Sequence, residues 1–185
     1  MDTITCNNFN VYRRNIPLFK PISFALKAGD CLRIYGGNAV GKTSCLFAMA
    51  GLKAYAGTLS IGANSLLTHS NGLYESLLVQ DMLAFWAQNN TGITSKISCK
   101  LPGDKHIFQL SSGQKRLLAW HRLLIENKKI WLLDEPLTNL DSHNKTFILG
   151  LVGEFLESGG TVIVVTHLDN LWESIITQKT QLERT

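Results

Sequence analysis

Short apolar runs alternate with helix-like repeats along the second half of the chain. The runs KIWLLDEP (129–136) and TVIVVTH (161–167) are brief and apolar on both faces. Between and before them, residues 112–127 and 143–160 repeat apolar side chains at helical spacing. Buried strands separated by helices are typical of a parallel sheet that is covered on both sides. The pattern therefore predicts an α/β fold with a mostly parallel sheet.

The first half begins with a strand, a turn and a second strand, read from KPISFALKAGDCLRIY at 20–35. The second strand ends at a glycine-rich stretch, YGGNAVGKTS. The next segment, TSCLFAMAGL (43–52), has a helical apolar pattern that Gly51 stops. We therefore expect a strand, a loop and a helix with a glycine cap at its end.

Residues 52–109 differ in composition from the rest, since they are rich in glycine, serine and asparagine. One apolar helix is clear, at VQDMLAFWAQ (79–88), and the polar stretch NNTGITSKISCK (89–100) follows it. This region is interpreted as a weakly ordered insertion or as a small helical subdomain.

Length and composition limit the number of domains and the kinds of partner that the chain can have. With 185 residues and 45% hydrophobic residues, the chain is long enough for one domain and short for two. The net charge of +4 comes from scattered basic residues, so it favours a solvated surface over a nucleic-acid footprint. No nucleic-acid partner is expected.

The four cysteines, Cys6, Cys31, Cys45 and Cys99, contain no Cys-x-x-Cys pair, which argues against a zinc site and a disulfide scaffold. We expect reduced, buried thiols in a cytosolic protein. The N-terminus lacks the pattern of a secretion signal, and no apolar run approaches the roughly 20 residues that span a bilayer. The chain is expected to reach a membrane only by docking on a membrane protein.

Gly36–Thr43 fits the pattern G-x-x-x-x-G-K-[ST], between a predicted strand and a predicted helix. Such a loop wraps phosphate with backbone N–H groups at a helix N-terminus, with a lysine on the β- and γ-phosphates and a hydroxyl on Mg²⁺. The sequence thus predicts binding of a nucleoside triphosphate and Mg²⁺. The nucleotide-binding candidates are Gly36, Gly37, Asn38, Ala39, Val40, Gly41, Lys42, Thr43 and Ser44.

Asp134 and Glu135 end a predicted buried strand, at the edge where an α/β sheet presents ligands. Because a strand turns successive side chains to opposite sides, Asp134 can face the metal with Thr43 while Glu135 faces a water that attacks the γ-phosphate. We expect Asp134 and Thr43 as metal ligands and Glu135 as the catalytic base.

A second phosphate-binding surface is predicted at LSSGQ, Leu110–Gln114, which opens a helix with two hydroxyls and a glycine. This segment is called the signature loop below. Its candidates are Ser111, Ser112, Gly113 and Gln114.

The ordered set GGNAVGKTS, LSSGQ, WLLDEP, LTNLD and VTH resembles the nucleotide-binding subunit of ATP-binding cassette (ABC) transporters, over nearly the whole chain. The resemblance implies a P-loop NTPase fold with a short antiparallel β region. It also implies one domain over 1–185, with a nucleotide-binding core at 1–68 and 115–185 and a reduced helical subdomain at about 69–114.

In that family two subunits sandwich two ATP molecules head to tail. The resemblance implies that Ser112 and Gly113 contact the γ-phosphate held by the partner's Lys42. It implies that Asp141 faces the partner subunit and that His167 contacts the γ-phosphate and acts in catalysis with Glu135 and Lys42.

Other positions depart from the family or leave a choice. Tyr12 lies about where the family stacks an aromatic ring on adenine, with Arg13 or Arg14 as alternatives. His69 stands where the family has a glutamine that contacts Mg²⁺ and relays hydrolysis to the membrane partner, and Gln80 is the alternative. Gly37 and Ala39 replace the family's proline and glycine, so Ala39 is expected to strain its loop.

Within the family the chain looks most like the haem-exporter ATPases of bacterial cytochrome c maturation. This implies an ATP-hydrolysing translocase subunit that binds an integral-membrane permease at the cytoplasmic face of the inner membrane. Three alternatives stay open: the ATPase of another exporter, a soluble cassette ATPase acting on nucleic acid or the ribosome, and a non-hydrolysing regulatory subunit.

Overall fold

The computed structural model describes residues 4–88, 101–167 and 169–185. The strands are β1 (Ile4–Arg13), β2 (Ile16–Pro17), β3 (Ile22–Leu26), β4 (Cys31–Gly36), β5 (Tyr55–Ser60), β6 (Asn64–Leu67), β7 (Ile130–Asp134), β8 (Thr161–Val165) and β9 (Gln178–Leu182). The helices are α1 (Lys42–Met49), α2 (Val79–Gln88), α3 (Ser112–Glu126), α4 (Ser142–Glu157) and α5 (Asp169–Trp172), with a 3₁₀ turn at Ile107–Gln109.

A five-stranded parallel sheet forms the centre, in the order β6-β7-β8-β4-β9. Every residue of β7 and β8 is buried, as their continuous apolar runs require in a sheet covered on both faces. The predicted α/β fold class is confirmed, and the helices predicted around 112–127, 143–160 and 79–88 form α3, α4 and α2.

An antiparallel sheet packs beside it, in which β1 pairs with β2, β3 and β5. The register of β1 shifts near Asn8, which adopts a left-handed φ of 49°. Opposite it, a Cβ on Gly57 would lie 2.3 Å from the Asn8 carbonyl oxygen, so only glycine fits there.

The interpretation of the whole region 52–109 as an insertion or helical subdomain is wrong for its first part, residues 55–67. Residues 55–60 form β5 of the antiparallel sheet, and residues 64–67 form β6 at an edge of the parallel sheet. Both strands owe their stability to partners distant in sequence, which a local pattern does not reveal.

The parallel sheet separates two hydrophobic clusters. Alternate residues such as Leu32 and Leu132 face α1 and the antiparallel sheet. Their neighbours Trp131 and Leu133 face α3 and α4 on the other side. A third, smaller cluster joins α2 to the 3₁₀ turn and to the outer side of α3.

Helix α1 ends with a glycine cap, as predicted. Gly51 has a φ of 76°, its N–H donates to the Ala48 carbonyl, and the Leu52 N–H donates to the Phe47 carbonyl. These two bonds are those of a Schellman motif, in which glycine takes the left-handed position without a steric penalty.

Three of the cysteines are confirmed as free and buried. Burial raises the pKa of the Cys6 and Cys31 thiols to about 12 and raises that of Cys45 as well. Cys99 and the polar stretch 89–100 lie outside the described residues. Among the described helices, none is both long and apolar enough to cross a bilayer.

Candidate functional site

The carboxyl ends of four parallel strands meet at one edge of the central sheet. There β4 leads into the phosphate loop Gly36–Thr43, β7 ends at Asp134, β8 is followed by His167, and β6 by Thr68 and His69. In parallel sheets this edge is the usual position of ligand sites. The fold thus brings residues from four distant parts of the sequence together.

The phosphate loop requires glycine at two points. A Cβ on Gly36 would stand 2.5 Å from the Leu182 carbonyl oxygen of the neighbouring strand β9. Gly41 has a φ of 108° and caps the start of α1 while Leu18 and Phe19 pack against it. The loop therefore delivers the N-terminus of α1 to a cavity of about 270 Å³.

That cavity has the chemistry of an anion site. It is lined by Arg13, Leu18, Ala39, Gly41, Lys42, Thr43 and Ser44. The first N–H groups of a helix have no partner within the helix and carry partial positive charge. With Lys42 and Arg13 beside them, these groups form a binding surface suited to phosphates.

Ala39 adopts a φ of 58°, in the left-handed region. The predicted strain at this position is confirmed, and for a residue with a Cβ it costs about 1–2 kcal/mol. Gly37, by contrast, has open space around its Cβ position and no left-handed φ.

Lys42 lies at the mouth of the loop. Its Nζ donates to the carbonyl oxygens of Gly36 at 2.9 Å and Gly37 at 3.0 Å. It also lines an adjoining cavity of about 260 Å³ together with His167. The ammonium group therefore stands between the phosphate loop and the end of β8.

Thr43 and Asp134 are in direct contact. The Thr43 hydroxyl donates to Asp134 Oδ2 at 2.8 Å, although 91 residues separate them in sequence. Asp134 is only 3% exposed. A hydroxyl and one buried carboxylate beside a phosphate site are the protein ligands that Mg²⁺ usually takes, so the residues fit this metal.

Glu135 lies just beyond β7 and has a left-handed φ of 48°. Strand alternation, the reason given above for its separation from Asp134, is therefore wrong. The Glu135 N–H still pairs with the Val165 carbonyl of β8, but the left-handed backbone at Glu135 sets the direction of its side chain, which contacts His167, whereas Asp134 contacts Thr43.

The Glu135 carboxylate has few partners. Its Oε1 is buried without a hydrogen bond from the described residues, 3.5 Å from His167 Nε2, and its Oε2 accepts a long bond of 3.4 Å from the His167 N–H. Burial raises the pKa of this carboxyl, and the neighbouring His167 partly opposes the shift. A buried carboxylate with free acceptor capacity can take a proton from water.

The signature loop opens α3 as predicted. The Ser111 hydroxyl accepts from the Gln114 N–H, and the Gln114 side chain accepts from the Ser111 N–H, which is a capping box. Ser112 is exposed, and a Cβ on Gly113 would lie 2.9 Å from the Asn139 carbonyl oxygen. Neither Ser112 nor Gly113 lines the cavity at the phosphate loop.

Asp141 has a local role that the sequence interpretation missed. It caps the N-terminus of α4, since its Oδ1 accepts from the Asn144 N–H at 2.8 Å and its Oδ2 from the Asn144 side chain at 3.0 Å. Its contact with a partner subunit stays a prediction.

The two candidates for the relay position lie apart. His69 is exposed and lies two residues after the end of β6, whose last residue, Leu67, pairs with Leu133 near the end of β7. Gln80 belongs to α2, where its N–H donates to the Gly103 carbonyl. His69 thus follows the strand that ends at the edge carrying Asp134 and Glu135, whereas Gln80 belongs to a separate helix.

The candidates for covering the base also differ. Arg13 lines the phosphate-loop cavity together with Leu18, whereas Tyr12 and Arg14 are not among its lining residues. Arg13 is therefore better placed than Tyr12 to lie over a base in that cavity.

Two basic residues near the site were not predicted. Lys53 Nζ donates to the Ser44 hydroxyl at 3.0 Å. Arg116 is 2% exposed in α3 and reaches the end of β7. Its position could have been noticed, because Arg116 shares the helical stripe of the buried Trp120 and Leu123.

Comparison with known proteins agrees with this geometry. Residues 19–138 match the ABC transporter family model. The cytochrome c biogenesis ATP-binding export protein CcmA of Ruegeria pomeroyi is 35% identical over 90% of this chain and 86% of its own length. The CcmA protein of Wolbachia pipientis is 34% identical over 89% of each chain.

Solved structures show the same fold. An ATP-binding subunit of an ABC transporter superposes over 99% of this chain and 86% of its own, with a TM-score of 0.85 at 17% identity. A putative ABC transporter ATP-binding protein from Pyrococcus furiosus covers 99% of this chain and 100% of its own, with a TM-score of 0.81 at 19% identity. The chain belongs to the ABC transporter family of ATP-binding proteins and, within it, to the cytochrome c biogenesis ATP-binding export proteins.

Proposed function

We propose that this chain is the ATP-hydrolysing subunit of a transporter of the haem-export type that serves cytochrome c biogenesis. The observation that carries the proposal is the meeting of Lys42, Thr43, Asp134, Glu135 and His167 at one edge of the sheet. The names of the relatives support the choice of process.

ATP binding begins at the phosphate loop. Lys42 and the N-terminus of α1 hold the β- and γ-phosphates, and Ser44, supported by Lys53, lies next to them. Arg13 and Leu18 cover the base or ribose at the outer side of the cavity. Thr43 and Asp134 would hold Mg²⁺, which would neutralise phosphate charge when bound.

Glu135 is the base that orients and polarises the attacking water. Its Oε1 is a buried acceptor with no hydrogen bond from the described residues, and a water bonded there could face the γ-phosphate. His167, 3.5 Å from the same carboxylate, completes the site on the side of β8. These groups stabilise the transition state by being in position beforehand.

The signature loop supports a site that two chains share. Ser112 is exposed at the start of α3 and is not part of the cavity lining of its own chain. We infer that Ser112 and Gly113 close over the γ-phosphate held by a second copy, in a dimer with two-fold symmetry. ATP then joins the two chains, and hydrolysis separates them.

The membrane subunit is proposed to dock near α2. Tyr74, Leu77 and Phe85 are exposed apolar side chains around a groove of about 300 Å³, next to the loop that carries His69. An exposed apolar patch of this kind is typical of a protein interface. Docking there would link the membrane subunit at the cytoplasmic face of the inner membrane to the ATP site through His69.

The proposal is tested by Glu135→Gln, which keeps the shape of the side chain and removes the base. We expect the variant to bind Mg-ATP, to lose ATP hydrolysis, and to shift from monomer to dimer in sedimentation runs. Adding Ser112→Arg should reverse the shift, because the new side chain blocks the contact with the partner's phosphate.

The matched control is Ser158→Arg, which adds the same charge on the exposed end of α4, before β8, at the opposite edge of the sheet. It should leave the ATP-dependent dimer intact. A Glu135→Gln variant that hydrolyses ATP at the parent rate would contradict the catalytic role. If that variant binds ATP and stays monomeric at high concentration, the shared site is wrong.

A further inference from the structure

Arg116 makes an unusual set of contacts with the chain around the catalytic carboxylates. Its Nη2 donates to the carbonyl oxygens of Asp134 at 2.9 Å and Glu135 at 2.7 Å, and its Nε donates to that of Pro136 at 3.0 Å. Three consecutive peptide groups are thus held by one guanidinium group from α3.

The other side of the same group holds the loop after β6. Arg116 Nη1 donates to the Thr68 carbonyl oxygen and to Asn71 Oδ1, both at 2.7 Å. This loop, residues 68–71, contains His69. One side chain therefore connects the start of α3, the end of β7 and the 68–71 loop.

These contacts depend on the geometry of arginine. A guanidinium group presents five N–H donors in a fixed plane, whereas lysine presents three donors at a single nitrogen. Burial lowers the pKa of Arg116 to about 10, with Asp134 and Glu135 opposing the shift, so the group stays charged at neutral pH. Bonds from a charged donor are stronger than those between neutral groups.

The peptide groups that Arg116 holds include a strained one. Glu135 has a left-handed φ of 48°, a conformation that persists in a residue other than glycine only where surrounding contacts impose it. The bonds to the carbonyls of Asp134, Glu135 and Pro136 supply such contacts. The direction of the Glu135 side chain follows from that backbone conformation.

We propose that Arg116 is a positioning residue for ATP hydrolysis, which fixes the Glu135 carboxylate relative to the phosphate loop and ties that position to the 68–71 loop. The inference rests on the proposed function. A displacement of the 68–71 loop by a docked membrane subunit would then also move Glu135, because the Arg116 guanidinium group is bonded to both.

The test is Arg116→Lys, which keeps the charge but cannot make the five bonds. We expect kcat for ATP hydrolysis to fall at least tenfold, since misplacement of a catalytic group by about 1 Å can cost about 100-fold. KM and the Kd for Mg-ATP should stay within about twofold, because Lys42 and Thr43 are unchanged. Wild-type kcat, or a raised KM with unchanged kcat, would overturn the proposal.

Arg122→Lys is the matched control on the same helix. Arg122 bonds the Leu66 carbonyl in β6 and pairs with Glu126, and none of its bonds among the described residues reaches Asp134, Glu135 or Pro136. It should leave kcat within about twofold. Thermal unfolding of both variants shows whether Arg116→Lys remains folded, and a kcat loss equal in both variants would mean a general effect on α3.

A second measurement separates the position of Glu135 from the shape of the signature loop. In the Glu135→Gln background, Arg116→Lys should still form the dimer with Mg-ATP, because no catalytic carboxylate is needed for closure. Loss of the dimer would assign Arg116 to the signature loop and contradict the proposal. Failure of the proposed function is seen independently, as absent hydrolysis in the unsubstituted chain.

Discussion

A single buried histidine, His121 in α3, gives the protein a dependence on pH. Burial lowers the pKa of His121 from its ordinary value of 6.5 to about 4. Between these two values the unfolded chain binds a proton that the folded chain does not. The free energy of unfolding therefore falls as the pH drops through this window, and the contribution is fully present above pH 6.5.

We expect His121→Gln to remove this pH-dependent part of the free energy of unfolding, since glutamine is polar but does not titrate. Between pH 6.5 and about 4 the parent should lose roughly 1–3 kcal/mol more stability than the variant, at about 1.4 kcal/mol for each pH unit. Urea unfolding at several pH values measures the difference. His143→Gln, at an exposed histidine, is the control. Parallel pH profiles of His121→Gln and the parent would contradict the prediction.

Residue types and spacing predicted the phosphate loop, the carboxylate pair and the strain at Ala39. These depend on local chemistry, which a motif carries in a few consecutive positions. The sequence could not predict that Glu135 leaves the strand in a left-handed turn, because that conformation depends on Arg116 and on the Val165 carbonyl, both distant in sequence.

At the scale of one element, α4 shows how a residue can serve two purposes. Asp141 caps its N-terminus through the Asn144 N–H, and it is also the proposed contact with a partner subunit. Asp141→Ala should lower the free energy of unfolding by about 1 kcal/mol, because the cap is lost. Asp141→Ser should keep most of the stability, since serine also caps helices. Urea unfolding measures both effects.

The two substitutions separate the roles. If the carboxylate also contacts the partner, both variants should weaken the ATP-dependent dimer of Glu135→Gln, while only Asp141→Ala loses stability. Equal losses of stability in the alanine and serine variants would show that the cap is not what Asp141 contributes.

Elements with strong local patterns were predictable, and those that depend on distant pairing were not. The helices α2, α3 and α4 have clear apolar repeats and formed as expected. The strand β5 is mostly exposed, with no buried residue, and contains Gly57 at a φ of 89°, so its alternation is weak. It is stabilised by pairing with β1, some fifty residues earlier.

At the scale of the whole molecule, the 68–78 connection between β6 and α2 begins beside the ATP site and itself carries Tyr74 and Leu77 of the proposed docking surface. Phe85→Glu should therefore reduce recovery of the chain with inner membranes that contain the membrane subunit, while binding of Mg-ATP stays unchanged. Fractionation followed by quantitative blotting measures the recovery.

Leu52→Glu is the control, since Leu52 is as exposed but lies after α1, outside the docking surface. It should leave membrane recovery unchanged. Equal recovery of Phe85→Glu and the parent would contradict docking at α2. Recovery that does not depend on the membrane subunit in any variant would favour a cassette ATPase that acts elsewhere.

The buried thiols of Cys6, Cys31 and Cys45 can report on local opening of the folded protein, because each reacts only when its surroundings open. Alkylating reagents attack thiolates, and burial both raises the pKa of these groups and blocks access to them. Cys6 and Cys45 belong to the cluster around α1, whereas Cys31 belongs to the cluster against α4. The alkylation rate of each thiol therefore reports how often its own side of the sheet opens. ATP should lower the alkylation rates of Cys6 and Cys45, on the α1 side, more than that of Cys31.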